Sequence, residues 1–288
     1  MLTLKRFPIR AIWQLLRLEH GLMYGAGVVV GVFIVNRFFN PVYVVYGFLT
    51  ALFLQSSAFA LNDYLDFEID VLNERNDRPL VRGELTRRTA ITLSLVFLPL
   101  GLLFSILISF IAFIFAFLIV IIGYLYNIKL KKLGIIGNSY IAFSMAAPFL
   151  YGSIIASNSI SIPILILSVI AFISGLGREI MKDIEDVFGD RTRSVRSVPV
   201  VKGSSFAAKI SVSFYIFAVL LSVVPYLVVN QYAFDLKYGI PVLLADVIFL
   251  YTAAEMLKNF SPEMIKRYRK LTLLAMVLGL LGFIWGAF

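Results

Sequence analysis

Aspartate recurs at one spacing in two stretches of this 288-residue chain: Asp63, Asp66 and Asp70 in NDYLDFEID, and Asp183, Asp186 and Asp190 in KDIEDVFGD. Pro79 and Gly83 follow the first stretch at the distances at which Pro199 and Gly203 follow the second, so that RPLVRG is mirrored by VPVVKG. On a helix, offsets of 0, 3 and 7 residues at about 100° each bring three carboxylates within about 60° of one face. Carboxylates crowded in this way resist ionising together unless a cation sits among them. Oxygen-only donors suit a hard divalent ion, so the expected metal is Mg2+.

The elements that must position these arrays follow from composition. With 60% apolar and 15% charged residues and a mean hydropathy of +0.91, the chain is too apolar for a soluble domain, which is about half apolar. It reads as an all-α, polytopic membrane protein. Apolar runs of crossing length lie at 12–35, 42–62, 88–107, 109–128, 138–157, 162–181, 206–230, 238–257 and 269–287, which predicts nine transmembrane helices. The third and fourth share one uncharged stretch and need a tight turn between Ser105 and Ser109.

Nine crossings put the N-terminus and the connections after the second, fourth, sixth and eighth spans on one side. All of the 26 Lys and Arg residues except Arg37 and Lys237 then fall on that side or its helix ends. Positive charge marks the cytoplasmic face, so both acidic arrays are expected to face the cytoplasm of a multi-pass membrane protein. The net charge of +9 is accounted for by topology and anionic lipid heads, without nucleic acid. Twelve of the 17 acidic residues nevertheless cluster in 63–84 and 179–190, against the sign that this face favours, which argues that they bind something.

No cysteine is present and His20 is the single histidine, which excludes thiolate chemistry, Cys-zinc sites and His-rich metal sites. The opening MLTLKRFPIR resembles the basic start of a signal peptide, but no small-residue cleavage site follows and the next run is long enough to remain a span. Residues 1–288 are expected to form one domain with a parallel internal repeat, relating the second span and its loop to the sixth span and its loop. Gly21, Gly25, Gly27 and Gly31 in the first span permit close helix packing.

Cations surround the arrays. Arg78, Arg82, Lys129, Lys182, Arg191 and Arg193 belong to the same predicted face, where they can bind a phosphate but not a bare metal ion. Mg2+ shares itself between a few carboxylates and substrate phosphates, so the combination suits a diphosphate. Lys131 and Lys132 read as membrane-surface anchors. Tyr126 and Lys129, three residues apart, can set an ammonium on a phosphate and a phenol beside a reacting carbon. An apolar bundle beneath such a site points to a polyprenyl diphosphate with its tail among the helices.

The run Asn62-Asp63-Tyr64-Leu65-Asp66-Phe67-Glu68-Ile69-Asp70 with Arg78-Pro79-Leu80, the pair Asp186 and Asp190, and Tyr126 with Lys129 resemble the NDxxDxxxD, RPL, DxxxD and YxxK motifs of the UbiA superfamily of intramembrane prenyltransferases. The resemblance implies nine helices around a central cavity open to the cytoplasmic side. It also implies that Asn62, Asp66, Asp70, Asp183, Asp186 and Asp190 hold about two Mg2+ ions, that Asp63 orients these ligands, and that Lys129 and Arg78 offset charge on the leaving diphosphate. Tyr126 would shield the allyl cation. Within the superfamily, GREIMKDIEDVFGD is similar to members that transfer a geranylgeranyl group from geranylgeranyl diphosphate to the hydroxyl of geranylgeranylglyceryl phosphate. Arg17, His20, Lys182, Arg191 and Arg193 are then candidates for the acceptor's phosphate. The partners are these two substrates and membrane lipids, with no obligate protein partner. Members with aromatic acceptors from quinone and haem pathways share the metal motifs and form the alternative. A secondary transporter would hold its acids nearer the bilayer midplane.

Overall fold

The computed structural model describes residues 9–36, 39–192 and 195–288. The basic opening segment, Arg37 and Arg193 lie outside the described residues. Twelve α-helices and one 3-10 turn account for the regular structure: α1 Ile9–Leu16, α2 Leu18–Val35, α3 Pro41–Leu72, α4 Arg87–Ile108, α5 Phe110–Ile128, the 3-10 turn Leu130–Lys132, α6 Ile135–Ser157, α7 Ile162–Glu185, α8 Val187–Thr192, α9 Val198–Lys202, α10 Ser204–Val228, α11 Leu236–Lys258 and α12 Pro262–Gly286. No strand occurs among the described residues. Nine of these helices, α2 to α7 and α10 to α12, are long and apolar enough to cross a bilayer. Helices satisfy every backbone group internally, which is why apolar runs of this length fold as helices in lipid.

Boundaries depart from the sequence expectation in three places. The first span begins with the separate helix α1, because Arg17 adopts a left-handed φ of 44° and breaks the rise into α2. The second does not end near residue 62 but runs on to Leu72 as a 32-residue helix, about 48 Å at 1.5 Å per residue. A hydrocarbon core of about 30 Å cannot contain it, so the first acidic array rides on a rigid helical extension. The third departure concerns the second array, whose helix α7 ends at Glu185 with Asp186 as its cap. Ser109, by contrast, makes the tight turn expected of it, with extended backbone at φ −168° and its Oγ accepting from Ala112 N at 3.1 Å.

The described residues pack as two compact units, one drawn from 1–29 and 40–128 and the other from 30–39 and 129–288. In the first, α4 packs along α3 and α5 joins both. Ser57 Oγ donates to the carbonyl of Ser94 at 2.9 Å, and Ser94 Oγ donates to the carbonyl of Ser57 at 3.0 Å. These exchanges satisfy hydroxyls that lipid would leave unpaired. Gly25 admits Phe48 of α3, whose ring lies 2.5 Å from where a Cβ would stand. In the second unit α7 lies between α6, α10 and α12, and Ser211 Oγ bonds the Gly177 carbonyl at 2.8 Å.

The segments that follow the two arrays share one backbone feature. After the first array a turn containing Pro79 leads to Gly83 with φ 71°, and after the second the short helix α9, which contains Pro199, leads to Gly203 with φ 88°; each glycine is followed by a helix packed against the array helix, α4 on α3 and α10 on α7. Neither glycine has a neighbour within 4 Å of a built Cβ, so it is this left-handed conformation, not crowding, that favours glycine at both positions.

Candidate active site

The part of the first unit that carries the acidic array is built on α1 and the extension of α3. Ala11, Leu15 and Leu16 of α1 bury themselves against Ala60, Leu80, Leu85 and Ala90, which ties the 73–86 connection down beside the array. Asp63 is the centre of this region. Its side chain is fully buried, and its Oδ1 accepts from Arg17 Nη2 at 3.2 Å and from Arg78 Nη1 at 2.8 Å. Arg17 also lies 4.2 Å over the ring of Phe59. Arg78 reaches further acids, with its Nε 3.8 Å from Asp70 Oδ2 and 3.6 Å from Asp77 Oδ2. A single carboxylate that organises two guanidiniums makes those cations rigid before any substrate arrives.

Asp77 and Glu84 of the connection, and Glu68 of α3, pair with neighbouring arginines. Arg75 grips Asp77 through two hydrogen bonds at 2.8 and 2.9 Å, which hold that carboxyl below its usual value. Arg82 grips Glu84 at 2.8 and 2.9 Å, lowers its pKa in the same way, and bonds Gln14 of α1 at 2.6 Å. Arg87 pairs with Glu68 at 2.7 Å. On the α3 extension Asn62 and Asp66 are half-buried and Asp70 is buried.

The second array is arranged differently. Asp183 stands on the last turn of α7 and its Oδ2 accepts from Asn138 Nδ2 of α6 at 2.7 Å. Asn138 had no motif to mark it, and it is the contact that sequence spacing does not reveal. Asp186 is exposed where the helix breaks, and Asp190 is half-buried on the separate short helix α8. The expectation that Asp183, Asp186 and Asp190 share one continuous helical face is therefore corrected. Glu185, between them, is held by Arg269 of α12 at 2.9 Å and lies 3.9 Å from Lys266. Lys182 pairs with the buried Glu179 at 3.2 Å.

Tyr126 lies half-buried in the last turn of α5, and Lys129 follows that helix exposed, before the 3-10 turn. His20 does not join the ion pairs around Asp63. It is half-exposed, 3.7 Å from Glu19 and edge-on to Phe59 at 5.4 Å between ring centroids. Arg191 is exposed at the end of α8.

Among the described residues no three His, Cys, Asp or Glu side chains converge as a metal cluster. Mg2+ shared with substrate phosphates asks for only one or two protein carboxylates and otherwise takes water. The oxygen-only donors Asn62, Asp66, Asp70, Asp183, Asp186 and Asp190 fit that requirement. The buried Asp63 Oδ2 has no hydrogen-bond partner among the described residues.

Comparison with known proteins places the chain in a family. A model of the UbiA prenyltransferase family matches residues 25–277. A digeranylgeranylglyceryl phosphate synthase of Archaeoglobus fulgidus is 52% identical over 289 residues, covering 100% of this chain and 98% of that protein. A solved structure of a digeranylgeranylglyceryl phosphate synthase in membranes superposes with a TM-score of 0.84 at 30% identity, covering 97% of this chain and 98% of that one. A UbiA homolog from Archaeoglobus fulgidus bound to GPP and Mg2+ has the same fold, with a TM-score of 0.69 at 20% identity over 93% of this chain and 98% of its own.

Proposed function

We propose, from the premise that this chain belongs to the UbiA prenyltransferase family, that it transfers a geranylgeranyl group from geranylgeranyl diphosphate to the free hydroxyl of geranylgeranylglyceryl phosphate. The allylic C–O bond breaks, diphosphate leaves, and the acceptor oxygen forms the ether as its proton passes to solvent. The observation that carries this choice of acceptor is 52% identity to a digeranylgeranylglyceryl phosphate synthase along the whole chain. Residues 1–288 act as one catalytic domain around a central cavity open to the cytoplasm, with both acidic arrays serving one diphosphate.

Asn62, Asp66 and Asp70 from one array and Asp183, Asp186 and Asp190 from the other would hold Mg2+. When bound, the metal supplies positive charge to the leaving diphosphate. Structures of a UbiA homolog with GPP and Mg2+ support that reading. Asp63 fixes Arg17 and Arg78, so the guanidinium of Arg78 is already oriented toward a phosphate and little reorganisation is needed as charge develops. Asn138 fixes Asp183. Lys129 adds an ammonium to the diphosphate. Tyr126 presents a ring that shields the allyl cation, and the apolar bundle keeps water from it.

The positive charge of the connections supports a cytoplasmic position for both arrays. Single cysteines at Glu74, Lys131 and Ser261 are expected to label from the cytoplasmic side and one at Phe288 from the other. Labelling of the Lys131 position from outside would contradict this orientation. The reaction itself is tested by offering geranylgeranyl diphosphate with geranylgeranylglyceryl phosphate and an aromatic acid in competition. The expected product is the diether phosphate, absent when EDTA is added. Consumption of the aromatic acid alone would assign this chain to the aromatic-acceptor branch.

A further inference from the structure

Three charged residues stand close together on α7, a helix long and apolar enough to cross the bilayer. Glu179 is 5% exposed, and its carboxylate gathers two cations. Lys182 Nζ donates to Oε2 at 3.2 Å, and Arg178 Nη1 stands 3.7 Å from Oε1. Both charged groups therefore meet at one carboxylate, with Arg178 about 11 Å of helical rise before the end of α7. Charged side chains within a membrane span almost always face the bundle interior or a water-filled cavity, and they mark substrate paths.

The charges do not balance. One carboxylate answers two cations, and like charges four residues apart on a helix repel, so a positive charge is left over. The donors do not balance either. Arg178 is mostly buried and its Nη1 is too far from Glu179 for a hydrogen bond. Its Nε is buried with no hydrogen-bond partner among the described residues, and a buried donor left unpaired is costly. Arg78, assigned above to the diphosphate, carries the same marks: a buried acid holds it, and its Nε has no hydrogen-bond partner among the described residues.

We infer that Arg178 and Lys182, held at Glu179, bind the phosphate of the acceptor. A phosphate monoester supplies the missing negative charge and accepts from guanidinium and ammonium together. At about 100° per residue the two cations lie within about 40° of each other, whereas Asp183 is turned about 100° from Lys182 and about 140° from Arg178. The pair therefore serves a phosphate other than the diphosphate bound at the array. This inference rests on the glyceryl phosphate reading above, and it adds Arg178 and Glu179 to the Lys182 expected from the sequence.

The test measures kcat and KM with geranylgeranylglyceryl phosphate and, separately, with geranylgeranylglycerol, which lacks the phosphate. The proteins are wild type, Arg178→Gln, Lys182→Gln and Arg178→Gln/Glu179→Gln. Each single substitution is expected to raise KM for the phosphorylated acceptor about tenfold or more, the order of one charge-assisted hydrogen bond. Both kcat and KM for geranylgeranyl diphosphate should stay within about twofold, as for a contact made equally in ground and transition states. With geranylgeranylglycerol the difference from wild type should vanish. The double substitution removes acid and cation together, so it strands no buried carboxylate even if Arg178→Gln folds poorly. A merely structural pair would keep the wild-type acceptor KM in that protein, whereas a phosphate site loses affinity as in Arg178→Gln. Arg178→Lys keeps the charge without the planar fork and should recover part of the loss. An unchanged acceptor KM in the double variant, an equal loss with both acceptors, or a rise confined to geranylgeranyl diphosphate would overturn the assignment. So would a loss seen only in vesicles containing anionic phosphatidylglycerol. A wild type that uses the aromatic acid and neither glyceryl acceptor would instead overturn the parent reading, and this site with it.

Discussion

Replacing Asp66 or Asp183 with alanine is expected to lower kcat/KM for the prenyl diphosphate about a thousandfold, with the melting temperature close to wild type. The size follows from the chemistry, in which positive charge must meet negative charge developing on the leaving group. Losing one element of such electrostatic stabilisation typically costs about a hundredfold to a thousandfold. Asp66 is half-buried on an extension of α3 that the bilayer cannot enclose, and Asp183 is half-buried at the end of α7, so neither change empties a core. Asn138→Ala should cost less, about tenfold, since it removes only the 2.7 Å bond that orients Asp183, and the loss of such supporting contacts is typically tenfold to a hundredfold. Steady-state kinetics at saturating acceptor, with thermal melts in detergent, separate these outcomes. Near-wild-type turnover in either aspartate variant would reduce that array to a solvated surface.

Asp63→Ala should do the opposite, lowering stability before it lowers anything else. Its carboxylate is fully buried and two guanidiniums converge on one of its oxygens. Removal leaves Arg17 and Arg78 partly buried without that partner, and breaking a buried pair in this way costs about 3–5 kcal/mol. Glu84→Ala removes an equally short contact to Arg82 but at the surface, where such pairs contribute little. A melt should show a large drop for Asp63→Ala and almost none for Glu84→Ala. Equal melting temperatures would mean that the buried ion pairs do not organise this region.

The contrast between Asp63 and Asp66 also shows where sequence reading ends. Spacing makes Asp63, Asp66 and Asp70 three equivalent members of one helical face. The fold divides them, because Arg17 comes from a different element and claims the first. The nine spans were legible because lipid tolerates few alternatives to a long apolar helix, and the turn at Ser109 was legible because two spans had to fit into one uncharged stretch. The break at Asp186 was not, since no proline follows and Gly189 stands three residues later. Periodicity therefore overextended α7. Asn138 escaped notice for a simpler reason: one amide at the start of an apolar helix has no pattern, and only its bond to Asp183 gives it a role. Gly83 and Gly203 stand at matching distances after the two arrays, and both take a positive φ, the conformation that favours glycine.

That both arrays serve a single diphosphate is tested most directly by a double-mutant cycle on Mg2+-dependent diphosphate release, comparing Asp66→Ala, Asp183→Ala and the two combined. Residues that act as a unit are not additive. The doubly substituted protein is therefore expected to be about as slow as either single variant, with all three insensitive to added Mg2+. If the two losses multiply, or if one array can be removed while the Mg2+ response survives, the arrays work apart and the shared site is wrong.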